Sequence, residues 1–505
     1  MNKKNNTSIL TTFLFSLLFG ITMTFYTTDF TPNTMVSYSL VFFICSLLLL
    51  FLVNRAGLNK QGSTSVLVSF VIRIIVGGLL FYLLPKIGYS NDAHQAGYIF
   101  ADAFHRDMQA WQLANSNASL ISAFGVSFSS DQYGGLLALS AGIYRLFSPG
   151  VHLPVLVVVF AAMVYSAGIP FLWKVVHHLW GEKSANIAIW VYALFPETVL
   201  LGSSQMREPF LIGLSAIAFW CVANANLRKK SSIALLILSI AGLFVISSSV
   251  ATLICGFLLI WYLIEHASEI HTKKQWYLWA GVGVGFLVIA IVFWEWFKEA
   301  GTYDAKLAFD QSGWVQLIVE KLGKRYRLVF MTLYGLMQPV LPAAIVEPAI
   351  PIAKTIAIFR SLGWYGLFPV LLYTLQMALK TLREKQNRLI LFSSLFLLSW
   401  TVLSSARAGG DQWDNPRYRM IMMVWFTLVT GWAIYFNQQS KDKWLLRWYG
   451  VDAVFVLGFL AWYLGRYTSW VPYFSLPGLI IFIVVASVLI LGLGWVTDCK
   501  HARQT

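Results

Sequence analysis

Residues 66–84 read Val-Leu-Val-Ser-Phe-Val-Ile-Arg-Ile-Ile-Val-Gly-Gly-Leu-Leu-Phe-Tyr-Leu-Leu, and the chain then passes through Pro85 to Tyr89-Ser90-Asn91-Asp92-Ala93-His94. The apolar run is about 20 residues long, the length that crosses bilayer hydrocarbon as a helix. It ends by delivering a carboxylate, Asp92, to the membrane surface. A polar loop of about 45 residues follows and carries Asp92, Asp102, Asp107 and Asp131, whereas most other loops in the first half are short.

Outward from this run, the whole chain has the same character. Of its 505 residues, 58% are hydrophobic and 12% charged, and the mean hydropathy is +0.67. Soluble domains carry about 25% charged residues, so the composition excludes an ordinary soluble protein. Continuous apolar runs exclude a β-barrel, whose strands alternate in hydrophobicity. The sequence predicts an all-α, polytopic transmembrane helix bundle of about 14 spans. They lie near 8–26, 36–53, 66–86, 151–176, 185–203, 209–226, 232–247, 250–266, 276–297, 360–381, 388–405, 419–436, 449–465 and 476–496. The first run, behind Met1-Asn2-Lys3-Lys4-Asn5-Asn6, reads as an uncleaved helix, because no small-x-small site precedes Phe25-Tyr26. Cys45, Cys221 and Cys255 lie in apolar runs and Cys499 in the tail, with no Cys-x-x-Cys pair to suggest zinc or a disulfide framework.

The net charge of +15 is a topology signal rather than a nucleic-acid footprint. With the N-terminus inside, the inner loops are 1–7, 54–64, 174–184, 227–231, 265–275, 380–388, 437–448 and 497–505. They hold 20 Lys/Arg against six Asp/Glu, as the positive-inside rule requires. Both termini are then cytoplasmic. The long loops 87–150, 298–359, 406–418 and 466–475 all face the extracytoplasmic side, so chemistry belongs there. Two of their segments read as interfacial helices: Gly134 to Phe147, and the stretch with Trp314, Leu317, Ile318 and Leu322 at helical spacing. The segment 338–351, with Pro339, Pro342, Pro348 and Pro351, reads as re-entrant or surface structure.

Three groups carry candidate chemistry. Asp92 can deprotonate or orient an acceptor hydroxyl or amine at the outer surface; the plain alternative is a solvated acid at a helix end. Asp102, Asp107 and Asp131 compete with it, although His105-Arg106-Asp107 reads as a local ion pair. His94 either tunes Asp92 or is an unpaired loop histidine. The second group is Phe195-Pro196-Glu197 with Gly202-Ser203-Ser204-Gln205-Met206-Arg207-Glu208-Pro209. Pro209 suits the first turn of a helix. Arg207 at headgroup level can clamp a lipid phosphate or pair with Glu208, and Glu197 is an intramembrane acid of the kind that faces a bundle interior. The third group is Arg407 to Arg419, where Arg417 and Arg419 flank Tyr418. Cationic donors there would stabilise a phosphate leaving group or hold outer-leaflet headgroups. Lys321, Lys324, Arg325 and Arg327 form a less specific basic cluster. His177-His178 read as interfacial. No Walker A motif, Gly-x-Gly-x-x-Gly or metal-ligand spacing occurs.

The order of these features resembles the GT-C fold integral-membrane glycosyltransferases, in the branch of protein O-mannosyltransferases and lipid A aminoarabinose transferases. The features are an outer Asp after an early helix, Asp131-Gln132-Tyr133-Gly134-Gly135 with Tyr144-Arg145-Leu146-Phe147, Leu179 to Ala185, Phe195-Pro196, Arg207-Glu208 and Pro416-Arg417-Tyr418-Arg419. The resemblance covers about 85–430. It implies a polyprenyl-phosphate sugar donor, an extracytoplasmic acceptor and an inverting transfer. Asp92 is then base or orienting group, with Asp131 or Asp107 able to share the task. Arg207, Arg417 and Arg419 contact the donor phosphate, with Tyr418 and Glu197 lining the same site. Relatives often carry an adjacent Asp-Glu pair, but Ala93 follows Asp92 here. Two spans also precede the usual first helix.

The reading is therefore a membrane glycosyltransferase of the inner or plasma membrane. It comprises an N-terminal helix pair (1–64), a GT-C-like catalytic module (65–436) and C-terminal helices (437–505). Its partners are the lipid-phosphate sugar, an extracytoplasmic lipid, glycan or protein acceptor, and membrane lipids, but no nucleic acid. No cofactor is implied, and a divalent metal stays open. The rival readings are an O-antigen-type polymerase or ligase and a transporter or flippase of lipid-linked glycans. A transporter should show internal repeats and broken helices meeting at the bilayer midplane.

Overall fold

A computed structural model describes residues 3–26, 31–125, 134–223, 230–266, 326–381, 385–468 and 470–502. Every regular element among them is helical, so the chain has the expected all-α class. Among the described residues, eight helices are long and apolar enough to cross a membrane, or nine if the pair Asp414–Met420 and Met423–Ser440, bent by 69°, is one span. The chain is a multi-pass membrane protein.

The count is below the expected fourteen for physical reasons. The helices Glu208–Ala223 and Lys230–Ile246 have 16 and 17 residues. Each is about 25 Å long, shorter than the ~30 Å of bilayer hydrocarbon. The apolar part of the first helix, Ile9–Phe25, is short as well. The expected spans 151–176 and 185–203 share one 40-residue element, Val155–Leu194. The expected span 276–297 lies outside the described residues.

The chain divides into two compact units, Met1–Ile289 and Ala290–Thr505, and the division falls inside the stretch read as one module over 65–436. In the first unit, α1 (Lys3–Phe25) packs on α2 (Pro32–Ala56), and α2 and α3 (Lys60–Ile87) pack on the element Val155–Leu194, here α7. The outer segments are α4 (Asp92–Gln95), α5 (Ala101–Asn115), a 3-10 turn (Leu120–Phe124) and α6 (Gly134–Phe147). The unit continues with α8 (Pro196–Gly202), α9 (Glu208–Ala223), α10 (Lys230–Ile246) and α11 (Ser248–His266).

The 40-residue α7 is a hairpin. Gly181 takes φ 81° and ψ 179°, a region open essentially to glycine alone. The Tyr165 and Tyr192 rings lie 4.4 Å apart, whereas 27 residues of straight helix would separate them by about 40 Å. Trp173 Nε1 likewise donates to Asn186 Oδ1 at 3.0 Å across the turn.

The second arm of α7 stops at Pro196, and the break explains the one charge within residues 66–84. Pro196 has no N–H for the Tyr192 carbonyl and pushes Phe195 to φ −59°, ψ 122°. Tyr165 Oη donates to the orphaned Tyr192 carbonyl at 2.8 Å, and Arg73 Nη1 donates to the Ala193 carbonyl at 2.9 Å. Arg73 also bonds the Ser69 carbonyl and Oγ, each at 2.9 Å, and Thr198 Oγ1 at 3.3 Å. Its guanidinium sits 3.7 Å above the Tyr165 ring. Arg73 is fully buried and has no carboxylate partner among the described residues; the negative end of the broken helix faces it instead.

In the second unit, residues 326–337 form α12. They are followed by α13 (Leu341–Val346), α14 (Pro351–Lys380), α15 (Lys385–Ala408), α16 (Asp414–Met420), α17 (Met423–Ser440), α18 (Trp444–Tyr467) and α19 (Leu476–Ala502). The proline-rich stretch 338–351 is broken as expected, and Pro351 opens α14 in the first turn, where a missing N–H costs nothing. Helices α13, α15, α17 and α18 pack on α14, and α19 packs on α18. Ile481, Phe482, Val488 and Leu493 of α19 are exposed, an apolar surface suited to lipid.

Three contacts join segments that the charge reading of the sequence assigns to one side, as inner or as outer. Asn59 Nδ2 donates to Glu182 Oε1 at 2.6 Å, joining two inner loops. Tyr373 Oη donates to Asp442 Oδ2 at 2.7 Å, again at inner ends. Gln205 Nε2 donates to the Pro154 carbonyl at 2.8 Å, joining two outer segments.

Candidate functional site

At its carboxyl end α3 closes with Gly88 N donating to the Leu84 carbonyl at 2.8 Å. Asn91 then caps α4 through its side chain, which accepts from His94 N at 2.8 Å. Asp92 occupies the first position of α4, favourable for an acid, and is exposed. Its carboxylate makes no hydrogen bond or ion pair among the described residues. His94 turns away from it: Tyr89 N donates to His94 Nδ1 at 2.9 Å. His94 is therefore neither an unpaired loop histidine nor a partner of Asp92, and its burial lowers its pKa below the usual imidazole value.

The expected local ion pair around Asp107 does not form. Helix α5 turns Asp107 inward, where it is 2% exposed, and its partners come from three distant places. Tyr98 Oη donates to Oδ2 at 2.5 Å, Tyr144 Oη donates to Oδ1, and His152 Nε2 lies 2.7 Å from Oδ2. Burial and the Asp107 charge push both tyrosine pKa values well above the phenolic range, so the phenols stay protonated donors. Trp111 stacks on His152 with centroids 5.0 Å apart, and Gln205 Nε2 reaches Tyr144 Oη at 3.3 Å. Arg145 is an architectural residue. It binds the carbonyls of Leu113, Ala114, Ser116 and Ala118 at 2.7–3.2 Å and so caps the carboxyl end of α5.

Beside this network a small, partly open depression of about 20 Å³ is lined by Phe81, Tyr98, Pro154, Ser203, Ser204 and Gln205 among others, room for about one water. Ser203 to Arg207 connect α8 to α9, and Pro209 sits in the first turn of α9 as expected. Arg207 is buried rather than displayed at the surface. Its Nε is 3.6 Å from Glu208 Oε1, and Nη1 is 3.5 Å from Ser247 Oγ. Glu197 is buried in the first turn of α8. Asp131 lies outside the described residues, as do Lys321, Lys324, Arg325 and the stretch 314–322.

The second unit contains the other arginines. Asp411 Oδ1 accepts from Trp413 N at 2.6 Å and Asp414 N at 3.0 Å, turning the chain into α16. Arg417 Nη2 is 3.2 Å from Asp414 Oδ1, and Tyr418 Oη donates to Asp414 Oδ2 at 3.2 Å. The guanidinium groups of Arg407 and Arg417 lie 5.2 and 5.3 Å from the Tyr418 ring centre. Arg419 faces inward: it donates to the carbonyls of Leu336 and Gln338, with its guanidinium 3.9 Å over Trp364. It holds α12 and α16 together, whereas Arg417 sits on a partly exposed acid.

Sequence reasoning singled out Asp107, quoted Tyr144 and Gln205 within motifs without joining them to it, and missed Tyr98 and His152. His152 is 45 residues from Asp107, so no local spacing links them. The signal available was a lone histidine at the outer mouth of an apolar run. Among the described residues, no group of three His, Cys, Asp or Glu is placed to hold a metal.

Fold and site together define a multi-pass, all-helical membrane protein with ionisable clusters at its helix ends. No family model matches the chain, and no curated protein matches it. Among solved structures it is similar to the archaeal oligosaccharyltransferase AglB from Archaeoglobus fulgidus, determined in complex with an inhibitory peptide and a dolichol-phosphate. The two are 13% identical, with a TM-score of 0.37 over 85% of this chain and 55% of that one. The chain thus spans about half the length of that protein.

Proposed function

We propose that the protein is a glycosyltransferase of the plasma or inner membrane with its active site on the extracytoplasmic face. It moves a sugar from a polyprenyl-phosphate carrier to a lipid, glycan or protein acceptor. The observation that carries this reading is the contrast at the outer end of the first unit. Asp92 stands exposed and its carboxylate makes no hydrogen bond or ion pair among the described residues, in the same loop in which Asp107 is buried and takes three side-chain donors. An exposed carboxylate at a membrane surface is available to an acceptor hydroxyl, either taking its proton or orienting it.

Each unit has its own candidate cation for the donor phosphate. Arg207 lies beside Glu208 and Ser247, and Arg417 lies on Asp414 with Tyr418 alongside; each can exchange a carboxylate for a phosphate, for which a guanidinium fork is well shaped. As the sugar–phosphate bond breaks, charge grows on the phosphate, and fixed cations there lower the barrier. Arg419 acts at one remove by holding α16. Asp131 is retained as the alternative acid, and Glu197 as a buried acid of the same unit.

The test is transfer by purified protein in lipid, with a panel of polyprenyl-phosphate sugars. Asp92→Asn should abolish product while leaving membrane insertion intact. Normal activity in Asp92→Asn together with loss in Asp131→Asn would move the assignment to Asp131. Arg417→Ala should raise the donor KM more than the acceptor KM, and the reverse would remove its phosphate role. The helix break at Pro196 favours one other reading, transport of a lipid-linked glycan. Vesicles in which labelled lipid changes leaflet without any new glycosidic bond would establish that reading instead.

A further inference from the structure

We propose that His152, held by Asp107, is the proton acceptor for the acceptor hydroxyl in the transfer proposed above. The inference rests on that reading and specifies its base. Asp107 is an acceptor-only carboxylate at the centre of a closed set of donors: Tyr98 Oη at 2.5 Å, Tyr144 Oη, and His152 Nε2 at 2.7 Å. With both phenols kept protonated, a charged Asp107 requires the proton between it and His152 to sit on Nε2. That leaves Nδ1 as the basic nitrogen, and it has no partner among the described residues.

The ring is fixed as a base should be. Trp111 covers one face, with rings 24° from parallel, and Tyr144 meets it edge-on at 5.3 Å. Asp107 itself has no exposed side-chain surface, whereas the His152 side chain is 24% exposed. The pair therefore has a buried orienting end and an open reactive end, as in other base–orienter pairs. The groups facing the imidazole are Asp107 from α5, Tyr144 from α6 and, through Asp107, Tyr98 from the preceding loop. Gln205 closes the network behind Tyr144.

The step balances without a cofactor. The acceptor oxygen forms a bond to the anomeric carbon and its proton passes to His152 Nδ1, giving imidazolium. The bond from the anomeric carbon to the phosphate oxygen breaks, and its electron pair leaves with the lipid phosphate. Asp107 is a positioning residue; Asp92 then orients the acceptor rather than deprotonating it. The imidazolium returns its proton to solvent.

Two measurements test this on the full-length protein in lipid. Nitrogen NMR of labelled histidine should show His152 with the proton on Nε2 and a bare Nδ1, and Asp107→Asn should disturb that tautomer. This readout is independent of any turnover, and a proton on Nδ1 overturns the proposal. The second is the pH dependence of transfer. His152→Gln keeps an amide donor for Asp107 but has no basic nitrogen, so its rate should fall about 100-fold or more and lose the acid limb of the profile, with donor KM unchanged. His152→Gly should regain rate with added imidazole. A His152→Gln protein with the wild-type rate and profile overturns the base assignment alone. A wild type that transfers no sugar overturns the proposed function and with it this reaction, while the NMR result still decides how the imidazole is held.

Discussion

Asp92 and Asp107 belong to the same segment between α3 and α7 and have opposite surroundings. Asp107 is buried and takes three side-chain donors; Asp92 opens a one-turn helix, is exposed and takes none among the described residues. The difference teaches that a carboxylate's role follows from its accounts of burial and donors rather than from its place in the chain. A buried acid saturated by phenols and an imidazole holds its partners in place and meets no substrate itself. An exposed acid without partners contributes little to the fold and is free to meet a substrate.

The comparison breaks most sharply on activity. Asp92→Asn should reduce transfer by about 100-fold or more; retention of full activity would erase the distinction. Next, Asp107→Ala should destabilise the first unit by about 3 kcal/mol, because it strands two buried phenols and an imidazole donor. Thermal unfolding in detergent reads this, and a wild-type midpoint would show that the network carries no stability. A smaller loss, about 1–3 kcal/mol, is expected for Gly202→Ala. The added methyl would lie 2.6 Å from Arg73 Cδ and Nε and displace the guanidinium that closes the Pro196 break. The same unfolding assay checks it.

The smallest effects sharpen the comparison. Asp92→Asn should leave stability within about 0.5 kcal/mol of wild type. His94 gives a modest pH dependence. Burial lowers its folded pKa, so the unfolded chain takes up a proton first. Its contribution is therefore complete above the unfolded value of about 6.5 and is lost as pH falls below it. His94→Gln should flatten that acid-side slope in unfolding measured between neutral and mildly acidic pH; a steeper slope would reverse the sign.

Much of this was legible in the residues. Apolar run length places α2, α3, α14 and α18, and the Pro209 and Pro351 helix starts follow from proline's missing N–H. The hairpin at Gly181 was read as two spans; its first arm is long enough to cross, whereas the break at Pro196 leaves the second about 20 Å long, short of the bilayer hydrocarbon. The site was less legible. Arg73 looked like a lone intramembrane charge, and only the fold reveals the orphaned Ala193 carbonyl that it serves. Arg417 and Arg419 are equivalent in a sequence, separated by one residue of an α-helix. The turn of that helix sends one toward Asp414 and the other toward the Leu336 and Gln338 carbonyls.

By itself, the sequence determined that this is an all-helical membrane protein, because bilayer thickness acts on local composition. Only the tertiary structure decided which acid is buried and which is free, and that His152 belongs to Asp107. Those facts arise from contacts between residues far apart in the chain, and hydrogen-bond satisfaction in a buried network is a property of the packed set rather than of any one segment.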